Sequence, residues 1–339
     1  MAARRRLAFL VATALVVFGV SVAADASPAP TPSEEAVSAS PSPLPSSIPP
    51  GIYTYDEVRS MGYDPGMRPE DVGLPLCPYD PGWEGLGPGT GPVPEDAPVC
   101  VADVTTFDFG FGIGIPHASY HHNGSFTNSS EYAGGKVEVE VRNPSVSHVS
   151  GITEFVSNRV LTQRPNDEWL ETGWVEYSDE GDAQYVYGYD TEEHSWNFAK
   201  QYDLTFGHYY AFRTRGCTLG GDDRQCGELY WNGLWELIRN SDTADCRPAS
   251  TPICHVEEYT EIFSNQTSSP HPNLTTNQGD GKIHWRNTEV RKDIGGSAQW
   301  VAWNSTFSDD WYNITPYDTC GEYRYFQFYV VNTGQATCG

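Results

Sequence analysis

Basic side chains are scarce in this chain. Of its 339 residues, 20 are Lys or Arg against 45 Asp or Glu, a formal net charge of -25. Nucleic acid and anionic membrane surfaces both require positive potential, so neither is expected as a partner. Helical periodicity is also nearly absent, which argues against a bundle or a doubly wound fold. No two cysteines stand in a Cys-x-x-Cys spacing, so a zinc site has little support. No Gly-x-Ser-x-Gly segment supplies the strained turn of a serine nucleophile. Internal repeats at solenoid or propeller spacing are missing too. After the first few tens of residues, no apolar run is long enough to cross a bilayer.

What is abundant points to strands. Aromatics make up 13% of the chain, with 20 Tyr and 10 Trp, accompanied by many Gly, Thr and Ser. That composition favours an all-β protein. Val137, Val139 and Val141 alternate with Glu138, Glu140 and Arg142, the pattern of a half-exposed strand. Two further strands are expected within 146–160. Others are expected over 168–177, 184–189, 209–214, 228–238, 256–263, 282–286, 298–303 and 323–331, with turn residues between them. The expectation is one domain over 101–339, a two-sheet antiparallel β-sandwich of concanavalin-like or jelly-roll type.

The N-terminal third reads differently. Arg4, Arg5 and Arg6 precede an apolar run from Leu7 to Ala23, followed by small residues, so residues 1–26 read as a cleaved secretory signal. An uncleaved anchor is the alternative, and the shortness of the run disfavours it. Residues 27–50 form a Pro/Ser-rich linker. Residues 51–100 are rich in Gly, Pro and acidic groups. They read either as a propeptide that covers a cleft or as a loop-rich extension stapled by Cys77 and Cys100. Secretion makes the eight cysteines disulfide candidates. Nearest-neighbour pairing, Cys77/Cys100, Cys217/Cys226, Cys246/Cys254 and Cys320/Cys338, is the simplest arrangement.

Two strand-like runs each set a carboxylate among aromatic neighbours. In 169–177 the two-residue repeat places Glu171 on one face with Trp169, Gly173, Val175 and Tyr177. In 256–263 it places Glu261 between Tyr259 and Phe263, with Glu257 on the same face and Glu258 on the other. Glu168 and Glu176 fall on the face opposite Glu171 and read as surface or turn groups. An aromatic-lined face strips water from a carboxylate and raises its pKa. Two such groups facing each other can share a proton, one acting as acid and the other as base. His121 and His122 read as a loop tip rather than as metal ligands. The same carboxylate pair also suits a glycan-cleaving enzyme, and the aromatics alone would suit a carbohydrate-binding module.

Leu170-Glu171-Thr172-Gly173-Trp174 resembles the strand of neprosin-type glutamic peptidases that carries one catalytic Glu before Gly-Trp. Tyr259-Thr260-Glu261-Ile262-Phe263-Ser264-Asn265 resembles their second Glu strand. The eqolisin glutamic peptidases show a similar order, with Gln in place of the first Glu. Gln184-Tyr185-Val186-Tyr187-Gly188-Tyr189 and Phe206-Gly207-His208-Tyr209-Tyr210 resemble the strands between the two sites in both families. The chain departs from the neprosin pattern at Tyr187-Gly188-Tyr189 and at Gln278-Gly279-Asp280-Gly281. The resemblance implies a secreted, acid-active endopeptidase with no metal or cofactor, a propeptide and a polypeptide substrate, taken here as a monomer. It implies Glu171 and Glu261 as catalytic residues, with Trp169, Trp174, Tyr187, Tyr189 and Tyr259 as substrate-binding neighbours.

Overall fold

Alternating apolar and polar residues, rich in Val, Tyr, Trp and Thr, give regular structure that is almost wholly strand among the described residues. In the computed structural model they are β1 (Ile52–Tyr53), β2 (Val99–Val101), β3 (Phe107–Asp108), β4 (Ser119–Thr127), β5 (Tyr132–Glu140) and β6 (Glu154–Gln163). Next come β7 (Trp169–Tyr177), β8 (Tyr185–Asp190), β9 (Ser195–Ala199), β10 (Tyr209–Leu219), β11 (Asp222–Trp231) and β12 (Leu234–Ser241). The last are β13 (His255–Ser264), β14 (Ile283–Asp293), β15 (Ala298–Ala302), β16 (Ser308–Tyr312), β17 (Tyr317–Glu322) and β18 (Gln327–Asn332). The structure describes residues 52–53, 60, 72–102, 107–108, 119–127, 129–144, 146, 154–166, 168–178, 183–191, 195–199, 201–242, 246, 253–264, 282–293, 297–303, 308–312, 317–322 and 327–332. All of these fall in one unit, Pro43–Gly339.

Two sheets form the sandwich. One has nine strands in the order β17-β18-β14-β5-β10-β11-β12-β2, with β15 paired to β14 off that path. The other has seven, in the order β16-β4-β13-β6-β7-β8-β9. Among the described strands, pairing is antiparallel except where β2 joins β12 in parallel. Val137, Val139, Phe212, Leu229 and Trp231 from the first sheet meet Val156, Val160, Trp174, Val186, Val256 and Ile262 from the second in one buried core. Full burial of such side chains stabilises by roughly 1.5–3 kcal/mol each relative to exposure. At Gly135 a Cβ would lie 2.4 Å from Val256 and 2.8 Å from Val160, so glycine permits this close approach. Polar ties cross the core as well: Gln225 Nε2 donates to Thr162 Oγ1 at 2.9 Å, and Arg239 Nη1 donates to Asn197 Oδ1 at 3.0 Å.

Several expectations need correction. The run 228–238 is a hairpin, β11 and β12, rather than one strand. Its turn, Asn232-Gly233, takes φ of 44° and 89°, the two positive values of a type I′ turn. His121 and His122 lie within β4, not in a loop. The strand 137–142 is not half-exposed: Glu138 and Glu140 are buried along with the valines. The cause is the segment 72–102, which lies on the nine-stranded sheet and ends in β2. Arg286 links the two layers, donating through Nε to Glu138 and through Nη2 to the carbonyls of Leu86 and Gly87. Trp235 Nε1 donates to Pro94 O, and Trp231 Nε1 to Asp80 O. Disulfides join Cys77 to Cys100, Cys217 to Cys226, and Cys246 to Cys254. The side chains of Cys320 and Cys338 lie outside the described residues, as do the signal and linker segments at 1–50.

Candidate active site

The site is built on three strands of the seven-stranded sheet. In β7, Leu170, Thr172 and Trp174 face the inter-sheet core, which turns Trp169, Glu171, Gly173 and Val175 to the outer face. In β13, Val256 and Ile262 join the core, which turns Glu257, Tyr259 and Glu261 outward. The two glutamate strands are not neighbours, as a simple dyad would suggest, because β6 runs between them. Strands lie about 4.8 Å apart, so the two backbones are about 10 Å apart. Only long side chains leaning over β6 bring the carboxylates together.

What draws them in is Arg159, at the centre of β6. Its Cα is paired with Gly173 on one side and with Tyr259 on the other. The guanidinium Nη1 donates to Glu171 Oε1 at 3.1 Å and forms an ion pair with Glu261 Oε2. Nη2 donates to the Tyr259 hydroxyl, and the guanidinium carbon sits 4.5 Å from the centre of that ring. Gly173 has a local reason: a Cβ there would fall 1.9 Å from Asn158 O and 2.8 Å from Arg159 Cα. The glycine of the Glu-Thr-Gly-Trp run therefore lets β6 and Arg159 approach β7. Both carboxylates contact one nitrogen atom, which puts them within reach of a single water.

Burial sets the electrostatics. Glu171 and Glu261 are each 1% exposed and Arg159 is 4% exposed. Loss of hydration pushes Glu171 up to about 7, against the opposing pull of Arg159 and with the added push of Glu261. Trp169 Nε1 also donates to Glu171, at 3.2 Å to Oε2. Burial disfavours the charge on Arg159, but Glu171 and Glu261 outweigh it and hold the guanidinium firmly protonated. Tyr187, Tyr189 and Tyr259 are all raised, first by burial and then by the nearby carboxylates, so they stay neutral donors.

Of the residues singled out in the sequence, Glu171, Glu261, Trp169, Tyr187, Tyr189 and Tyr259 come together on this face. Tyr189 is paired with Glu171 across β7 and β8, and Tyr187 with Gly173. Trp174 does not join them. It is fully buried in the inter-sheet core, because a strand position of opposite parity must point to the other side. Glu176 and Glu258 lie on that inner side as well, and Glu176 accepts from Gln184 there. Glu176 is therefore not the surface group expected of it, and Glu258 lies on the face opposite Glu261 as expected. Burial pushes Glu258 well above the usual carboxylate range. Glu257 shares the outer face but is engaged by His255 at 2.9 Å. Glu168 sits in the β6–β7 turn with Arg164 at 3.7 Å.

Arg159 is the member that the sequence reading missed. Its signal was a lone cation inside Phe155-Val156-Ser157-Asn158-Arg159-Val160-Leu161, a run otherwise suited to a buried strand. Among the described residues, Cys77, Cys100 and Glu236 have metal-ligand proximity. Both sulfurs are consumed by their disulfide, so that group offers no thiolate.

No family model matches this chain, and no curated protein matches it in sequence. Among solved structures it is similar to scytalido-glutamic peptidase with a transition state analog inhibitor. That likeness has a TM-score of 0.41 and 12% identity over 63% of this chain and 99% of the other. It is also similar to SCP-B, a member of the Eqolisin family of peptidases in complex with the tripeptide Ala-Ile-His. There the TM-score is 0.38, with 11% identity over 63% and 99% of the two chains.

Proposed function

We propose that this chain is a secreted, acid-active endopeptidase that hydrolyses peptide bonds with Glu171, Glu261 and one water, without a metal. The observation that carries the reading is the meeting of two buried carboxylates on one aromatic-lined face, across an intervening strand. Amide hydrolysis needs a general base for water, a donor for the oxyanion and a proton for the leaving amine. Ionised Glu261 takes a proton from water as the oxygen adds to the carbonyl carbon. Protonated Glu171 donates its O–H to the developing oxyanion. Glu261 then passes its proton to the amide nitrogen, the C–N bond breaks, and a carboxylic acid and an amine leave. Trp169, Tyr187, Tyr189 and Tyr259 would line the substrate channel.

Because both carboxylates are 1% exposed, substrate entry requires part of the chain to move. The segment 72–102 is bonded into the nine-stranded sheet, so we place the removable propeptide within 27–71. Proteolysis there leaves β2 and the Cys77–Cys100 disulfide in place.

The deciding experiment measures cleavage of denatured casein and of a polysaccharide panel across pH, with intact mass to locate the mature N-terminus. The expected result is casein cleavage with a bell-shaped profile. The alkaline limb falls as Glu171 loses its proton near pH 7, and the acid limb falls as Glu261 gains one. Glu261→Gln abolishes turnover. Glu171→Gln keeps an amide donor and part of the activity, whereas Glu171→Ala loses roughly a hundred- to a thousand-fold. A folded Glu261→Gln protein that cleaves casein as the parent does would overturn the proposal.

A further inference from the structure

We propose that the cavity over Glu236, at the β2–β12 edge of the nine-stranded sheet, is a second binding site, and that it takes the ammonium group of an alkylamine, either a free amine or a lysine side chain of a polypeptide. The proposal does not depend on the peptidase reading above.

Separate parts of the chain build the site. Glu236 on β12 is paired in parallel with Cys100 on β2. It stands two residues before Ile238, which joins the inter-sheet core. Its side chain is therefore carried inward, and the residue is only 4% exposed. Tyr202 donates its hydroxyl to Glu236 Oε2, and its ring centre lies 4.8 Å from that of Trp231. These three residues line a cavity of about 80 Å³ together with Asp80 and the exposed Leu76 and Tyr79. A water needs about 10–15 Å³ of such space. The cavity therefore admits several waters or the end of one alkylammonium chain.

The lining selects the ligand. Glu236 and Asp80 are both at the cavity, and among the described residues no Lys, Arg or His lines it. Asp80 already accepts from Gly82 N and from Asn232 Nδ2. Glu236 accepts at Oε2 alone, which leaves Oε1 without a partner among the described residues. The sulfurs of the Cys77–Cys100 disulfide stand within 4.8 Å of the Glu236 carboxyl and carry no charge. A dehydrated carboxylate persists only when protonated or paired with a cation. Burial pushes Glu236 up to about 7 against the Tyr202 hydrogen bond, so above neutrality it is an anion in need of a counterion. The net charge of -25 draws cations toward the chain. Leu76 and Tyr79, 58% and 76% exposed, offer an apolar rim for the methylenes of an amine whose head reaches the carboxylate. A bare metal ion would lack the apolar contact, and a neutral alcohol would lack the ion pair. The titratable groups that share the cavity with Glu236 are Tyr202, which follows β9, and Tyr79 and Asp80 from the segment 72–102. The disulfide and Trp231 do not titrate.

The test is calorimetric titration of the full chain with 1-aminopentane, with N-acetyl-lysine N-methylamide and with 1-pentanol. About 0.15 M salt screens general attraction to the acidic surface. At pH 8 the ammonium compounds are expected to bind at one site, at least tenfold more tightly than 1-pentanol. Between pH 8 and pH 5 their affinity falls about a hundredfold as Glu236 takes up its proton. Glu236→Gln loses tenfold or more at pH 8, and with it the pH dependence. Tyr79→Ala weakens the amines and leaves the pH dependence in place. Tighter binding of the lysine derivative than of 1-aminopentane assigns the site to a polypeptide, and the reverse order assigns it to a free amine. The proposal is overturned if neither amine binds, if 1-pentanol binds as well as they do, or if their affinity holds from pH 8 to pH 5. A folded Glu236→Gln protein that binds as the parent does overturns it too. The alcohol and pH comparisons use the parent, so they decide the question even if Glu236→Gln does not fold.

Discussion

Each sheet carries a buried arginine–glutamate cluster, and the two clusters have opposite stoichiometry. In the seven-stranded sheet one arginine, Arg159, faces two glutamates, Glu171 and Glu261. In the nine-stranded sheet two arginines face one glutamate: Arg213 pairs with Glu228, and Arg215 meets the same carboxylate at 2.7 and 2.8 Å. Burial raises both Glu171 and Glu228, yet the outcomes differ. Glu171 ends at about 7, while Arg213 and Arg215 overcome burial and hold Glu228 below its ordinary value. Identical side chains, equally dry, are thus driven in opposite directions by the ratio of charges around them. Near neutrality the first cluster can exchange a proton on Glu171. The second cannot, and its role is to tie β10 to β11 beneath the segment 72–102, where Arg213 also donates to Glu95 O and lies 3.7 Å from the Trp235 ring centre.

The two clusters differ most in how activity and stability depend on them. Changes at Glu261 are expected to remove turnover while the fold survives. Glu228→Gln should do the reverse, destabilising by about 3–5 kcal/mol because it strands the buried Arg213 and removes the partner of the part-buried Arg215. Urea unfolding reads the second effect, and unaltered specific activity of the remaining folded protein would complete the contrast. A Glu228→Gln protein as stable as the parent would show that the second cluster is not structural.

A smaller effect concerns pH and stability. Glu171 has a folded pKa of about 7 against an ordinary value of 4.5, so the native state binds its proton more tightly than the unfolded chain. Its stabilising contribution is full below pH 4.5 and is lost as pH rises to about 7, on the order of 3 kcal/mol. Glu236, raised by burial to about 7 against the hydrogen bond from Tyr202, acts in the same direction. Glu228 acts oppositely, losing its contribution as pH falls through its depressed value. Tm should therefore fall between pH 4.5 and pH 7, and Glu171→Gln should flatten part of that slope. A Tm that climbs through this window would contradict the assignment.

The smallest effect belongs to an ion pair in neither cluster. Arg164 and Glu168 lie 3.7 Å apart with about a third of each side chain exposed. Glu168→Gln should change stability by less than about 1 kcal/mol in the same urea assay. A larger loss would mean that burial is not what separates the clusters from ordinary surface pairs.

Much of this was legible in the chain itself. Alternation along 169–177 and 255–264 determined the strands, and with them which residues share a face with Glu171 and Glu261. The same parity excluded Trp174 from the site, although a motif-level resemblance had included it. Composition determined an all-β protein, and the spacing of six cysteines matched the three pairs seen. Tertiary structure decided the rest. Strand order is not written in any one segment, so the placement of β6 between the two glutamate strands, and of Arg159 between their carboxylates, emerges only when distant runs pair. Burial of Glu138, Glu140 and Glu176 likewise depends on what lies over them, which local alternation cannot report. A charged residue in a strand reads as solvated until its partner is known, and here a partner can lie 148 residues away, as Arg286 does from Glu138. Sequence determined which groups were available. Their pKa values, and hence what each can do, follow from dehydration and charge ratio, which exist only in the folded chain.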